Sequence, residues 1–445
     1  MIAGKRSFGA VVILWLCHLE LGTILPAVQA LTSLSSSSAA TTSPLFRACP
    51  PPQGPQDQHQ QQQQQQQQFH HLQHRVLSAQ KSSSNYVSQQ PKVDVEALQA
   101  LGYPEGFCRA LVHGATQVYA KRYWIIDDSL SMSTKDGHFL LYTPQRDGTD
   151  CIEQAPCTRW NELQETVLQH ALLAHHLDIP TDFRLLNHAA GHFRIPRTFG
   201  STSRLSSSNS SGNSSGNLAD VQHAQKILSR TQPRGVTPLT ARLRTVHKEL
   251  EQSVLPKLPT GQKVALVLAT DGLPTNVDDH GLSTQQAKED FRQALLALPA
   301  EQVSIVIRLC TDDVDVVSFY NQLETTLPHV QVLDDYWAEA ARAQRHNPWL
   351  NYGLVLHRIR EMACCGHVPL LKVLSQRPLT VHEVAEFCAF LFDWQRNDEF
   401  PASLSWESLV HAVQVSNAQQ EPVWNPVSAQ LEAWVDLDKY HIASA

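Results

Sequence analysis

From Tyr123 to Ser131 the chain reads YWIIDDSLS, an apolar run that breaks abruptly into two carboxylates and two hydroxyls. Trp124, Ile125 and Ile126 follow one another with no polar residue between them. A half-buried strand alternates apolar and polar residues, so an unbroken run predicts a strand buried on both faces, as at the centre of a parallel α/β sheet. Asp127, Ser129 and Ser131 then stand at the C-terminal end of that strand, where open α/β sheets place their ligands. Hard oxygen donors at alternate positions of one tight loop suit a small hard cation such as Mg²⁺.

The pattern recurs downstream. KVALVLATDGLPTN carries a second buried-strand run, Val264 to Ala269, that ends in Thr270, Asp271 and Gly272. Between the two runs, RGVTPL places Thr237 at the start of a long helical pattern. Trp160, Leu163, Val167, Ala171 and Ala174 fall at helical spacing and predict an amphipathic helix over 159–177. Strands are predicted at 181–186, 303–309 and 330–333, a short antiparallel edge strand at 192–195, and helices at 219–230, 284–298, 313–327 and 336–345. Strands separated by helix-length segments imply parallel pairing through right-handed crossovers. The predicted class is α/β, with a Rossmann-like, doubly wound, mostly parallel sheet.

A DxSxS loop, a distant threonine and a strand-terminal TDG, in this order, resemble the von Willebrand factor type A (vWA) domain over roughly residues 118–345. The resemblance implies a metal-ion-dependent adhesion site (MIDAS). In it Ser129 and Ser131 ligate the cation directly, Asp127 and Asp271 act largely through coordinated water, and Thr237 approaches or leaves as the site changes state. It implies Mg²⁺, or Mn²⁺ or Ca²⁺, with an open coordination position that an acidic side chain of a partner protein fills. The family has glycine between the two serines, where this chain has Leu130. Glycine relieves strain in tight loops, so Leu130 predicts a differently shaped loop or weaker metal binding.

Taken singly, each of these residues has a plainer use. Thr237 before Pro238 reads as a helix N-cap with proline at the first helical position. Asp271-Gly272 reads as an ordinary turn, and Ser129 or Ser131 as a cap of the next element. The three segments in one order carry the metal reading; no one of them does.

At 445 residues, 42% hydrophobic, the chain is long enough for one sizeable α/β domain with extensions. A net charge of −7 with scattered basic residues gives no footprint for nucleic acid. Residues 1–30 read as a signal peptide: Lys5 and Arg6, an apolar stretch from Phe8 to Cys17, and a small-residue cleavage site at Val28-Gln29-Ala30. His18 and Glu20 interrupt the run, so no stable transmembrane span is expected. Residues 31–92, with a glutamine tract from Gln60 to Gln68, predict a disordered Ser/Gln-rich segment. That segment is almost free of acids, which is also the composition of a transit peptide. Two destinations follow: the secretory pathway or extracellular space, or a plastid through a bipartite signal and transit peptide.

Residues 93–117 predict a helical lead-in, and 201–217 a flexible Ser/Gly/Asn insertion carrying the glycosylation patterns at Asn209 and Asn213. Cys151 and Cys157 flank a short predicted loop and are a candidate disulfide in an oxidising compartment. Cys310 and Cys388 read as core thiols, Cys364-Cys365-Gly366-His367 as structural, and His188 and His192 as surface histidines. Residues 346–445 predict a helical C-terminal extension, with one helix over NPWLNYGLVLHRIREM and Trp406, Trp424 and Trp434 packed in its core.

The function expected is a non-enzymatic, divalent-cation-dependent protein-binding module of adhesion or scaffold type. Two alternatives stand beside it. One is an assembly subunit of an intracellular or plastid complex that needs no metal for binding. The other is a Mg²⁺-dependent phosphoryl-transfer enzyme, which needs a second carboxylate two residues after the first, where this chain has Ser129.

Overall fold

The apolar run of the opening strand packs on both of its faces. The computed structural model describes residues 46–48, 95–144, 150–188, 191–195, 218–276, 281–363, 368–394 and 405–440. In chain order these form β1 (Phe46–Ala48), α1 (Val95–Ala100), α2 (Glu105–His113), β2 (Tyr119–Ile126), β3 (Gly137–Pro144) and β4 (Asp150–Cys157). Next come α3 (Arg159–His176), β5 (Thr181–Leu185), β6 (Phe193–Ile195), α4 (Ala219–Arg230), α5 (Leu239–Glu249), β7 (Lys263–Thr270), α6 (Gln285–Leu296) and β8 (Val303–Leu309). The chain continues through α7 (Val314–Thr326), β9 (Val330–Leu333), α8 (Tyr336–His346), α9 (Leu354–Glu361) and α10 (Leu370–Val373). It closes with α11 (Val381–Phe392), α12 (Trp406–Ala418), β10 (Val423–Asn425) and β11 (Gln430–Glu432).

Six strands make the main sheet in the order β6-β5-β2-β7-β8-β9. All neighbours are parallel except the edge pair β5–β6. On one face of β2, Trp124 and Ile126 pack with Trp160, Leu163 and Val167 of α3. On the other, Tyr123 and Ile125 pack with Leu243 and Val246 of α5 and Phe291 of α6. This is an α/β architecture with helices on both faces of a mostly parallel sheet, as Rossmann-like folds have. From β2 the chain goes to β5 and β6 on one side, then returns to β7 on the other. The switch point therefore falls between the C-terminal ends of β2 and β7, the position at which such sheets bind ligands. Among the described residues no helix is long and apolar enough to cross a membrane.

The segment expected to be a loop carrying two cysteines is a hairpin. β3 and β4 pair antiparallel from Gly137↔Cys157 to Pro144↔Asp150, and β1 adds to β4 in parallel. Phe139 and Leu141 point to one face with Ala155 and Cys157; Leu140 and Ile152 point to the other with Trp424. Two-sided burial again removes the alternation that marks a strand. The candidate disulfide Cys151–Cys157 is thereby corrected. The two residues stand six apart on one extended strand, about 20 Å at the usual rise per residue, against a limit near 7 Å for bridged Cα atoms. Cys157 is a free, buried thiol. Cys310 and Cys388 are buried as expected.

The C-terminal part differs from the expected all-helical extension. Only Leu354–Glu361 of NPWLNYGLVLHRIREM is helical. Asn347 ends α8, and its side chain donates to Leu374 O and Arg377 O and accepts from Leu379 N, organising the irregular chain after it. The extension ends in the antiparallel hairpin β10–β11. Trp424 and Trp434 are buried there, as predicted. Its helices share one core with the lead-in, in which Phe107 and Leu111 of α2 meet Leu356 and Ile359 of α9 and Phe387 and Leu391 of α11. Within 31–92 only Phe46–Ala48 is described. The signal peptide, the insertion with Asn209 and Asn213, and Cys364-Cys365-Gly366-His367 lie outside the described residues.

A buried ionic cluster fastens α9 to the sheet. Glu361 accepts from Arg358 at 2.8 Å, from His170 of α3 at 2.8 Å and from Arg308 of β8 at 3.3 Å. Arg308 also donates to Glu162 of α3 at 2.6 Å. Removing one member of such a cluster leaves charges buried and unpaired. Glu361→Ala is expected to lower unfolding free energy by about 3–5 kcal/mol, read from urea denaturation.

The same cluster sets a pH dependence. Burial pushes the His357 imidazole from 6.5 down to about 3, and it lowers His170 as well. Burial alone would raise Glu361, but Arg358 and His357 hold it well below the usual carboxylate range. Between their folded and unfolded values these groups bind more protons in the unfolded chain, so stability falls as pH falls. Asp334, raised by burial to about 6, opposes them. Asp127 and Asp271, raised by burial, oppose them too, so the test is a difference: between about pH 6.5 and about pH 4 the urea midpoint of the wild type is expected to lose more, or gain less, than that of His357→Gln.

Candidate metal centre

Register brings the two acids together. Ile126 of β2 lies beside Ala269 of β7, and the next residues along are Asp127 and Thr270. Asp127 N donates to Ala269 O at 2.9 Å, continuing the ladder one step past the strand. Thr270 Oγ1 then donates to Asp127 Oδ2 at 2.6 Å, and Ser129 N donates to Asp127 Oδ1 at 2.9 Å. Ser129 Oγ and Ser131 Oγ are 3.1 Å apart, and Ser131 Oγ donates to Asp271 Oδ1 at 2.8 Å. One hydrogen-bonded chain therefore links Asp127, Ser129, Ser131 and Asp271 across the switch point.

Thr237 enters from a third segment. Its backbone is zipped to the TDGLPT loop: Thr237 N donates to Thr275 Oγ1 at 3.1 Å, and Thr275 N donates to Thr237 O at 3.0 Å. Its hydroxyl lies against Gly272, 3.3 Å from where a β carbon on that glycine would stand. The helix cap at this point is Pro238 and makes no side-chain cap bond, so Thr237 is not the N-cap its sequence context suggests. All five predicted site residues thus converge at one end of the central strands.

Asp128 holds the surrounding loops. Its carboxylate accepts from Asn187 N at 2.6 Å and pairs with His188, while its carbonyl accepts from Arg234 N at 2.8 Å. Asn187 Nδ2 reaches on to Val236 O at 2.9 Å. Gly235, between those contacts, has φ +76°, and a β carbon there would sit 2.9 Å from Asn187 Oδ1. His188 is therefore a hydrogen-bonding partner of Asp128 within this scaffold, with 21% of its side chain exposed, and not the surface histidine expected.

Leu130 carries none of the strain that replacing glycine implies. It opens a short 3₁₀ turn, Leu130–Ser133, and is not among the described non-glycine residues with positive φ. The residue is 65% exposed.

Arg159, the first residue of α3, is the component that the spacing of oxygen donors does not disclose. Its Nη1 donates to Asp271 Oδ2 at 3.0 Å, while Nε and Nη2 grip both oxygens of Asp136 at 2.7 and 2.5 Å. An arginine in the first turn faces the positive end of the helix dipole, which is the one local signal that something else holds it there.

The electrostatics show a shortage of positive charge. Burial raises the Asp127 carboxyl, and the charge of Asp271 raises it further. Burial also raises Asp271, against the opposing pull of Ser131 and Arg159. Of these two buried acids only Asp271 meets a guanidinium, that of Arg159, and the remaining deficit is one that a divalent cation fills. Two carboxylates and three hydroxyls are hard oxygen donors throughout, the chemistry of Mg²⁺, Mn²⁺ and Ca²⁺. The residues fit such an ion. Among the described residues no group of three or more His, Cys, Asp and Glu side chains that could hold a metal is present, so this set rests on two acids completed by hydroxyls.

No family model matches the chain, and no curated protein matches it significantly.

Fully buried, Thr270 Oγ1 donates to Asp127 Oδ2 at 2.6 Å and accepts from Gly272 N at 3.3 Å. Thr270→Val keeps the shape and deletes the donor, and is expected to lower unfolding free energy by about 1–3 kcal/mol, measured by urea denaturation without divalent ions.

Proposed function

We propose that this chain is a divalent-cation-dependent protein-binding module of the vWA kind. The observation that carries the reading is the hydrogen-bonded chain from Asp127 through Ser129 and Ser131 to Asp271, set at the switch point of the sheet. Ser129 and Ser131 offer the direct ligands, Asp127 and Asp271 the carboxylates behind them, and Thr237 a hydroxyl from a separately held loop. When bound, Mg²⁺ supplies an exposed positive charge with a free coordination position. The ligand it suits is a carboxylate from a partner protein, because a hard cation prefers anionic oxygen.

The chain's residues do the rest. Asp128 and Asn187 hold the Thr237 loop in place. Thr270 and Ser129 N keep the Asp127 carboxylate oriented. With a hydroxyl at Ser129, where phosphoryl transfer needs a second carboxylate, and with Asp128 committed to the neighbouring loops, these residues present no nucleophile and acid pair.

Immobilised protein is expected to retain a pool of glutamate-centred peptides in Mg²⁺ and release them in EDTA. Asp127→Ala and Asp271→Ala are each expected to abolish that retention, with circular dichroism unchanged. Retention that survives EDTA and both substitutions would sink the reading and leave a metal-free assembly surface in its place.

A further inference from the structure

The guanidinium of Arg159 sits on one of the carboxylates that the metal reading needs. Its contact with Asp271 Oδ2 is 3.0 Å, and the Asp271 side chain is fully buried. Oδ1 of the same carboxylate takes the Ser131 hydroxyl. Both oxygens of Asp271 are therefore engaged, one by a metal-loop hydroxyl and one by a cation that belongs to the chain. Asp136, 45% exposed at its side chain, anchors the other edge of the guanidinium.

This arrangement is costly unless the charge is needed at this spot. Arg159 directly follows the cap Thr158, where the helix dipole disfavours a cation. Its side chain is only 14% exposed. Arginine's rigid fork grips one carboxylate with two parallel N–H groups and turns a third to another, a geometry that the point charge of lysine does not fix. Asp136 lies in the loop after the Leu130 turn, and Arg159 N donates to Thr134 O at 3.0 Å, so the metal loop and the start of α3 are joined by backbone as well as by charge.

We propose that Arg159 is the resident cation of this site and competes with the divalent ion for Asp271. The inference rests on the metal reading above and adds a control to it. With the guanidinium on Asp271, the acid pair is partly neutralised and affinity for a divalent ion is held down. Binding of the ion weakens the Arg159–Asp271 contact, leaving the guanidinium on Asp136. By reciprocity, removing the guanidinium tightens metal binding by the same factor that metal binding weakens the contact.

The test is a Mn²⁺ titration of the full chain, followed by the loss of the free-ion electron paramagnetic resonance signal, together with thermal melts. Arg159→Gln is expected to bind Mn²⁺ roughly 5- to 150-fold more tightly than the wild type, the usual span of coupling between two ligands. Without metal it is expected to melt lower, because Asp271 loses its buried partner, and saturating Mn²⁺ is expected to close that gap. Arg159→Lys, which keeps the charge but not the fork, is expected to fall between the two, and carries the test alone where the glutamine variant does not fold. Equal or weaker Mn²⁺ affinity in the variants, with the wild type still binding, overturns the competition and leaves the metal reading standing. No Mn²⁺ binding by any of the proteins overturns both.

Discussion

Two carboxylates at the tips of the central strands are buried, and a buried charge must be compensated or neutralised. Much of the local architecture around Asp127 and Asp271 is that compensation. Thr270 and Ser129 N attend to the first acid, Ser131 and Arg159 to the second. Asp128, placed between the ladder and the metal loop, turns its carboxylate to the Asn187–His188 loop and its carbonyl to Arg234 N. Three consecutive positions, 127 to 129, thus divide their work between site, scaffold and site. A sheet of this topology brings two strand ends together at its switch point; this chain puts an acid on each.

Helix α3 connects that point to the rest of the protein. Its first residue reaches the site, Glu162 holds Arg308 of β8, and His170 holds Glu361 of α9. One helix therefore links the site to the buried cluster of Arg308 and Glu361, while its apolar stripe covers the sheet. Its hydrophobic residues follow the helical period, but its functional weight lies in the polar positions of the same surface.

Elements whose burial follows a simple period are legible in the amino-acid sequence alone. The runs at Trp124–Ile126 and Val264–Ala269, the stripe from Trp160 to Ala174, and the alternation of strands with helices all translate into the observed sheet. The β3–β4 hairpin is not legible in that way, because both of its faces are covered, and Gly137, Gly148 and the cysteines read as loop punctuation. The C-terminal hairpin escapes for a related reason: its strands are three residues long, too short for a period to show. Within the site, the oxygen donors are readable as spacing. Arg159 and Asp136 are not, because they meet through folding of the intervening hairpin. Residues 23 positions apart leave no local pattern.

That hairpin has a consequence for how the chain can vary. Gly137 pairs with Cys157 at its base, so the separation of Asp136 and Arg159 is set by one rung of the ladder, whatever lies beyond it. Rungs added or removed in pairs at the far end would leave the guanidinium where it is. The rungs near Pro144↔Asp150 are thus places where the ladder can gain or lose length without the site registering the change. A single-residue slip at the base would instead turn every side chain of one strand to the opposite face. The hairpin is an insulated port, with tolerance at its far rungs and none at its root.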